Sequence, residues 1–337
     1  MQDGIASVPL KILSLQEVEN LQKKIKMNRS KCPVCGSRHT LKNGKRNGVQ
    51  TFKCGDCGYQ FRNSSMPTND SLWRLYQENK QTVAELSVLL GVSESTIKRR
   101  LGEVNLVWEQ PPLEGSGFVH LDATYFGRSW GVMAAVEEER GIPLYMSFIK
   151  HETNADYVAA VKSIEDRGYK IEGLILDGKR SLFSVFSEYK IQMCQFHMIQ
   201  IVSRYLTDSP RLMASRDLLD LMSTLTSSKE AGFRQRFEEW KRQYRVVINK
   251  RTLLKSGASK YRHDTLRKAM TSIEFYMPYL FTYQQPGCEG MPNTNNKIEG
   301  TFTDLKRNAN VHNGMSTESR KRLICGFFLA LWKNTAR

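Results

Sequence analysis

The sequence predicts an α/β fold built on a mixed sheet and preceded by two small modules. From residue 117 onward, short apolar runs are separated first by turn residues and then by segments with helical spacing, as expected for strands and helices of one sheet. The chain has 337 residues, more than one small domain needs, and 40% of them are apolar, which is enough to form a core. Two Cys-x-x-Cys pairs and a basic helical stretch precede these runs.

The composition indicates an anionic polymer as partner. The 50 Lys and Arg residues exceed the 34 Asp and Glu residues and give a formal net charge of +16, which favours nucleic acid. No apolar run approaches the ~18–20 residues of a membrane-spanning helix, and the N-terminus lacks a signal-peptide core, so we expect no membrane partner and a cytoplasmic location. In a reducing compartment, two Cys-x-x-Cys pairs among seven cysteines indicate metal or redox chemistry rather than disulfides.

The first module is predicted to be a zinc ribbon over residues 30–63, which follows an amphipathic helix within residues 1–29. Two knuckles separated by 18 residues would bring four thiolates to one structural Zn²⁺ and leave no coordination position open for catalysis. The four predicted ligands are Cys32, Cys35, Cys54 and Cys57. A thioredoxin-like redox pair is the alternative, but it requires a surrounding βαβ pattern, which is missing here.

Basic residues on the ribbon are predicted to contact DNA phosphates. They include Lys42, Lys45 and Arg46, which lie between the two cysteine pairs. A solvated basic surface without a ligand is the alternative interpretation.

The second module, residues 64–112 including a linker, is predicted to contain a helix-turn-helix over residues 80–102. Gly91 permits the tight turn between the two helices, and Ser93 caps the second one. Polar and basic side chains on the outer face of this second helix are expected to reach base edges and phosphates in the major groove. They are Ser95, Thr96, Lys98, Arg99 and Arg100. A plain helical hairpin would share the packing pattern and remains the alternative.

The third region, residues 113–337, is predicted to hold the mixed sheet. Strands at residues 118–125, 130–136 and 143–149 form an antiparallel meander, and helices then alternate with two more strands up to residue 194. This order of elements is ribonuclease-H-like. Residues 208–286 have helical spacing without a convincing strand, so we expect an all-helical insertion there.

Three carboxylates of this region predict a metal site. Asp122 lies in the first strand, Asp177 closes the fourth, and Glu299 lies on a helix that follows the insertion. An acid in an apolar strand is costly to desolvate unless a cation or hydrogen bonds stabilise it. Cleavage of a phosphodiester needs two divalent ions, and Mg²⁺ or Mn²⁺ prefers carboxylate oxygens, so we expect Asp122 to bridge two ions, with Asp177 on one and Glu299 on the other.

Each of these acids has an alternative interpretation. Asp177 alone is a common turn cap, and Asp122 alone could be a hydrogen-bonded structural acid. Glu289 competes with Glu299, but its surroundings indicate a loop, whereas Glu299 has a helix. Lys306 lies two turns further along this helix on nearly the same side, where it could hold a DNA phosphate or a terminal base.

Other histidine, cysteine and tryptophan residues of this region leave their roles open. Cys194 and His197 make half of a zinc site, which Cys288, Cys325 or His312 would have to complete, while ordinary burial of Cys194 is the alternative. His120 shares a strand face with Asp122 and either lines the pocket or packs. The remaining residues, predicted to be core rather than base-stacking, are Trp130, Trp240 and Trp332.

Taken in order, these motifs from about residue 117 to residue 330 resemble the DDE transposases of bacterial insertion sequences, specifically the Mutator-like branch. The matching features are Leu-Asp-Ala-Thr at Asp122, Leu-Asp-Gly at Asp177, Cys-Gln-Phe-His at 194–197, the helical insertion, and Asn-Lys-Ile-Glu-Gly at Glu299 with Lys306. The basic modules in front look like the region of such enzymes that binds element ends.

The resemblance implies a transposase that cleaves at element ends and transfers the 3′ hydroxyl into target double-stranded DNA. It also implies supporting roles for Cys194 and His197 near the active site, and a bacterial, nucleoid-associated location. Because two element ends must be brought together, we expect a homodimer or larger assembly on DNA. Two alternatives stay open: a ribonuclease-H-like nuclease without strand transfer, and a domesticated regulator in which the two modules bind DNA alone.

Overall fold

The computed structural model describes residues 31–335, except residues 33, 47–48, 63–66, 107, 109–112 and 255. The helix predicted within residues 1–29 therefore lies outside the described residues. The chain forms two compact units: residues 1–107 with 306–327, and residues 108–305 with 328–337.

The ribbon of the first unit is a three-stranded antiparallel sheet. Its strands are β1 (Thr40–Arg46), β2 (Val49–Cys54) and β3 (Gln60–Arg62), in the order β1-β2-β3. Each cysteine pair forms a tight knuckle, closed by hydrogen bonds from Gly36 N to Cys32 O (2.9 Å) and from Gly58 N to Cys54 O (3.1 Å). Both glycines have positive φ, +72° and +70°, a conformation that any other residue would adopt under strain.

Three helices follow in the first unit: α1 (Asn69–Gln77), α2 (Val83–Leu90) and α3 (Glu94–Gly102). Thr82 and Glu85 form a reciprocal capping box at the start of α2. Gly91 ends α2 in the left-handed conformation at φ +66°, and the Ser93 hydroxyl accepts from Thr96 N (3.3 Å) to start α3. The buried apolar residues of this turn are Leu86, Ile97 and Leu101.

The second unit is built on a five-stranded mixed sheet, which confirms the prediction of a mixed α/β fold. Its strands are β4 (Ser116–Tyr125), β5 (Gly131–Glu137), β6 (Pro143–Ile149), β7 (Lys170–Leu176) and β8 (Ile191–Met193), in the order β6-β5-β4-β7-β8. The first three strands pair antiparallel, whereas β7 and β8 add in parallel. Strands β4, β6, β7 and β8 thus run in one direction, so their carboxyl ends lie at the same edge.

Helices connect the parallel strands as the sequence predicts. They are α4 (Asn154–Asp166), between β6 and β7, and α5 (Arg180–Val185), between β7 and β8. A further helix, α6 (Gln195–Leu206), follows β8. Tyr157 and Ile164 on α4 are fully buried in the core of the unit. Parallel strands need such crossovers, because a tight turn cannot join them.

The insertion is mostly helical, with one correction. Its helices are α7 (Met213–Ser223), α8 (Glu230–Gln243), α9 (Arg245–Asn249) and α10 (Asp264–Tyr276), and a two-stranded hairpin, β9 (Arg251–Leu253) with β10 (Ser259–Tyr261), lies among them. The prediction of no strand was wrong there. These strands are three residues long and largely exposed, so backbone pairing forms them without the apolar alternation that identifies a strand.

Two long helices end the described chain: α11 (Asn296–Val311) and α12 (Thr317–Thr335). The predicted inward face of α11 is buried through Ile298, Phe302 and Leu305. Of the predicted core tryptophans, Trp240 is buried and donates its Nε1–H to Ala214 O at 2.9 Å. Within the described chain, no helix combines the length and apolarity needed to cross a membrane.

Candidate functional site

The strand register brings two of the predicted acids to one level of the sheet. In the parallel pair of β4 and β7, Val119 lies opposite Leu174 and His120 opposite Ile175. The same offset carried two residues further places Asp122 level with Asp177, at the carboxyl end of both strands. Carboxylates on neighbouring strands at one edge of a sheet can share a cation.

Asp122 is the most perturbed of these acids. It keeps some exposed surface, yet burial is the main cause that raises the pKa of its carboxyl to about 8, and the charges of Asp177, Glu152 and Glu299 raise it further. The backbone N–H of Ala123, which donates to Asp122 Oδ1 at 2.7 Å, lowers the pKa and so acts against this shift. Without a cation, the carboxyl therefore keeps its proton near neutral pH.

The pKa of Asp177 is subject to influences of both signs. Burial and then the charge of Glu152 raise its pKa, while His197 and Lys179 act in the opposite direction. Lys179 N donates to Asp177 Oδ1 at 3.3 Å, and the Tyr276 hydroxyl of the insertion donates to Gly178 O at 2.5 Å. The turn that presents Asp177 is thus held both by its own backbone and by helix α10.

Glu299 meets the cysteine and histidine of α6. It lies in the first turn of α11, and its Oε1 is 3.6 Å from Nδ1 of His197. Both atoms are buried and have no hydrogen-bond partner among the described residues. Cys194 Sγ completes a group of three donor atoms that lie within 4.8 Å of one another. The third donor is thus Glu299, and not the residues suggested from sequence, Cys288, Cys325 or His312.

His120 and Asn295 connect the sheet to the start of α11. The His120 ring is fully buried, with Nδ1 2.6 Å from Asn295 Oδ1 and Nε2 2.5 Å from Glu138 Oε2. Asn295 N also donates to Cys194 Sγ at 3.2 Å. The open question about His120 is thereby answered: it is a packed, hydrogen-bonded residue. Its bonds position the segment that carries Glu299.

Glu152 and Lys179 are residues of this cluster that the sequence analysis missed. Glu152 lies between β6 and α4, where it accepts from Lys179 Nζ (3.2 Å) and from the Tyr157 hydroxyl (3.0 Å). Its charge raises the pKa of both Asp122 and Asp177. The sequence did contain a signal for Glu152. The third strand of a meander runs parallel to the first, so residues that follow β6 lie at the edge where β4 ends.

Glu289, the competitor of Glu299, has a local role. It is exposed, and its Oε1 accepts from Gly287 N at 3.1 Å within its own turn. Backbone hydrogen bonds of this kind lower the pKa of its carboxyl. The carboxylate therefore stabilises a loop.

The ribbon cysteines form a second donor cluster. The four Sγ atoms lie within 4.8 Å of one another, with Cys32 to Cys57 and Cys35 to Cys54 both at 3.5 Å. A tetrahedral ion with Zn–S bonds of ~2.3 Å holds its sulfurs about 3.8 Å apart. Hydrogen bonds from the Cys57 backbone are the largest cause that lowers the pKa of the Cys54 thiol to about 6, whereas the Cys54 side chain raises the pKa of Cys35 to about 12, so the neighbouring thiols share protons unequally. The donor set fits zinc.

The predicted DNA-contacting residues differ in their exposure and in their hydrogen-bond and ion-pair partners. Lys42, Lys45 and Arg46 are exposed on β1, and Lys306 is exposed on α11. On α3, Ser95 is exposed, Thr96 is half-buried beside the Ser93 cap, and Lys98 and Arg99 pair with Glu94 and Glu103 on their own helix. Arg100 is different, since it donates to Asn69 Oδ1 and to Pro67 O, both at 2.8 Å. Its guanidinium thus stabilises the start of α1.

Comparison with known proteins finds similarity among solved structures. No family model and no curated protein matches the chain. Among solved structures, the chain is similar to one in the Drosophila P element transposase strand transfer complex, with 9% sequence identity and a TM-score of 0.42. The similarity covers 81% of this chain and 93% of that chain.

Proposed function

We propose that the protein is a metal-dependent DNA transposase, with a ribonuclease-H-like catalytic domain and an N-terminal zinc ribbon and helix-turn-helix that bind element ends. One observation carries this proposal. Asp122 and Asp177 come from segments far apart in sequence, yet the register of β4 and β7 places them level at one edge of the sheet. Glu299 lies near enough for its charge to raise the pKa of Asp122. Such a concentration of carboxylates disfavours their ionised forms unless a cation balances them.

The residues present fit two divalent ions. Their carboxylate oxygens are the ligands that Mg²⁺ and Mn²⁺ prefer, and Glu299 Oε1 is buried without a hydrogen bond among the described residues. In this proposal Asp122 would contact both ions, with Asp177 on one and Glu299 on the other. When bound, the ions would supply Lewis-acid activation of the attacking and leaving oxygens of a phosphodiester.

The protein's own residues then prepare and orient the reaction. Asp122 would release its proton to solvent on binding a cation, since its pKa of about 8 belongs to the metal-free cluster. Lys179 stays paired with Glu152 and keeps that extra charge partly neutralised. Hydrolysis at the element end would free a 3′ hydroxyl, and the same site would then accept target DNA for its attack.

The basic surfaces supply the second part of the proposal. The exposed lysines and arginine of β1 and the outer face of α3 would hold the element end through phosphate and base contacts, and Lys306 would hold DNA near the reacting strand. Two ends must be joined in one reaction, so we propose that a dimer or larger assembly forms on DNA.

A strand-transfer assay with a matched pair of variants tests the proposal. Purified protein with Mg²⁺ or Mn²⁺ should join labelled element ends to a plasmid. Asp177→Asn should lower joining by at least about 10³-fold, because one metal ligand is lost. Asp166→Asn, which removes an exposed carboxylate at the end of α4, should leave joining unchanged.

The products separate the proposal from its alternatives. Cleavage without joining would indicate a nuclease that lacks strand transfer. Specific end binding without cleavage at any metal concentration would indicate a DNA-binding regulator. Joining by Asp177→Asn at the wild-type rate would remove Asp177 from the mechanism.

A further inference from the structure

We propose that Cys194, His197 and Glu299 form a second transition-metal site that takes Zn²⁺ or Co²⁺, and that this site acts as an inhibitory switch on the carboxylate cluster. The existence of the site does not depend on the proposed function. Its inhibitory effect does, because it acts through Glu299.

The donor atoms already converge without a metal. All three lie within 4.8 Å of one another, and His197 Nδ1 is 3.6 Å from Glu299 Oε1. Ligands of a tetrahedral zinc ion with Zn–N and Zn–O bonds of ~2.1 Å are about 3.4 Å apart. Small side-chain movements would therefore complete the geometry.

Two of these atoms lack any other partner. His197 Nδ1 and Glu299 Oε1 are both buried, and neither has a hydrogen bond among the described residues. Buried polar atoms are rarely left unpaired, because desolvation without a hydrogen bond is costly. A shared cation would satisfy both atoms at once.

The chemistry of the donors selects a soft ion. One thiol sulfur, one imidazole nitrogen and one carboxylate oxygen suit Zn²⁺ or Co²⁺ rather than Mg²⁺, which requires oxygen ligands. Zinc bound by three protein ligands keeps a fourth position for water. The side chains of His197 and Glu299 are 25% and 35% exposed as a whole, so solvent lies close to the site although the two donor atoms are buried. Binding would release the thiol proton of Cys194 to solvent.

The shared ligand makes the site a switch. Glu299 is also the proposed ligand of the second Mg²⁺ ion, and one carboxylate beside a tightly bound zinc ion has less negative charge to offer another cation. Occupancy by Zn²⁺ should therefore inhibit reactions that depend on Mg²⁺. The Cys₄ ribbon has no such effect, because none of its ligands belongs to the carboxylate cluster.

Cobalt spectroscopy of the full-length protein tests the site. The protein is first prepared with one Zn²⁺ per chain in the ribbon and is then titrated with Co²⁺. A thiolate-to-cobalt charge-transfer band should appear with the first added equivalent while the zinc content stays constant. Cys194→Ser should abolish this band, whereas Cys288→Ser, which changes another buried cysteine of the same unit, should retain it.

A third variant covers a possible folding defect of Cys194→Ser. His197→Gln should keep the band but weaken Co²⁺ binding roughly tenfold or more, since loss of even an indirect partner of a metal costs this much. A band that persists in Cys194→Ser, or a wild-type protein that shows no band after zinc loading, would overturn the proposal.

The inhibitory effect is measured separately. In the Mg²⁺-dependent joining assay, Zn²⁺ should inhibit wild-type protein at concentrations roughly tenfold or more below those that inhibit Cys194→Ser. Equal inhibition of both proteins would refute the switch. If no joining occurs at all, the proposed function fails, and the cobalt band still decides whether the metal site exists.

Discussion

The ribbon cluster and the Cys194, His197 and Glu299 cluster differ in how the chain builds them. The ribbon brings four identical thiolates together from two short knuckles, each closed by its own backbone hydrogen bond and a left-handed glycine. The other cluster takes three different donors from α6 and α11, on either side of the helical insertion. A local motif therefore makes the first site, and tertiary packing makes the second.

This difference predicts that one region needs a metal ion to fold and the other does not. The ribbon has few buried residues of its own, so its folding should require the ion, as small zinc modules generally do. The second cluster lies beside a five-stranded sheet with a large buried core, so its surroundings should fold without any ion.

The largest expected effect is loss of the ribbon in Cys54→Ser. Removal of one of four thiolates should eliminate zinc from the ribbon, because structural zinc contributes on the order of 10 kcal/mol or more to such modules. Metal analysis and hydrogen exchange should show a zinc-free, unprotected ribbon, while exchange in β4 to β8 stays as in wild type. Cys288→Ser is the control and should keep the zinc of the ribbon. A zinc-free ribbon that stays protected from hydrogen exchange would contradict the expectation that the ribbon needs its ion to fold.

The same contrast explains what the sequence could predict. The spacing of the ribbon cysteines is local and was sufficient to indicate a metal site. The mixed sheet was also predictable, since β5 and β7 are apolar runs of strand length. Glu299 as the partner of His197 was not predictable, because the contact depends on how α11 packs after the insertion. The hairpin of β9 and β10 was missed because its exposed residues have no apolar pattern.

The next effect concerns the pH dependence of stability. The pKa of Asp122 is about 8 in the folded protein against an ordinary value near 3.8. Between these values the folded state keeps a proton that the unfolded state has released, so stability present at low pH is lost as pH rises toward 8. The slope for one proton is at most about 1.4 kcal/mol per pH unit.

Asp122→Asn should reduce this slope and abolish strand transfer. Without added divalent metal at pH 8, we expect the variant to be more stable than wild type by about 1–3 kcal/mol, because a buried charge among other carboxylates has been removed. Urea unfolding at pH 5 and pH 8 measures the difference, with Asp166→Asn as the exposed control. If the pH dependence of stability were unchanged in Asp122→Asn, Asp122 would not be the group whose raised pKa causes it.

The smallest expected effect is that of Asn295→Ala. It tests whether tertiary packing, rather than a local turn, positions the cluster of Cys194, His197 and Glu299. Asn295→Ala removes the oxygen that lies 2.6 Å from His120 Nδ1 and leaves this buried nitrogen unpaired. We expect a loss of about 1–2 kcal/mol in the free energy of unfolding. Co²⁺ affinity at Cys194 should also fall, but less than in His197→Gln, since Asn295 acts only by positioning the start of α11. Asn310→Ala, an exposed asparagine on the same helix, should change neither quantity. Asn295→Ala could instead weaken cobalt binding with no loss of stability. Asn295 would then act on the metal directly, and the conclusion that tertiary packing positions this cluster would be wrong.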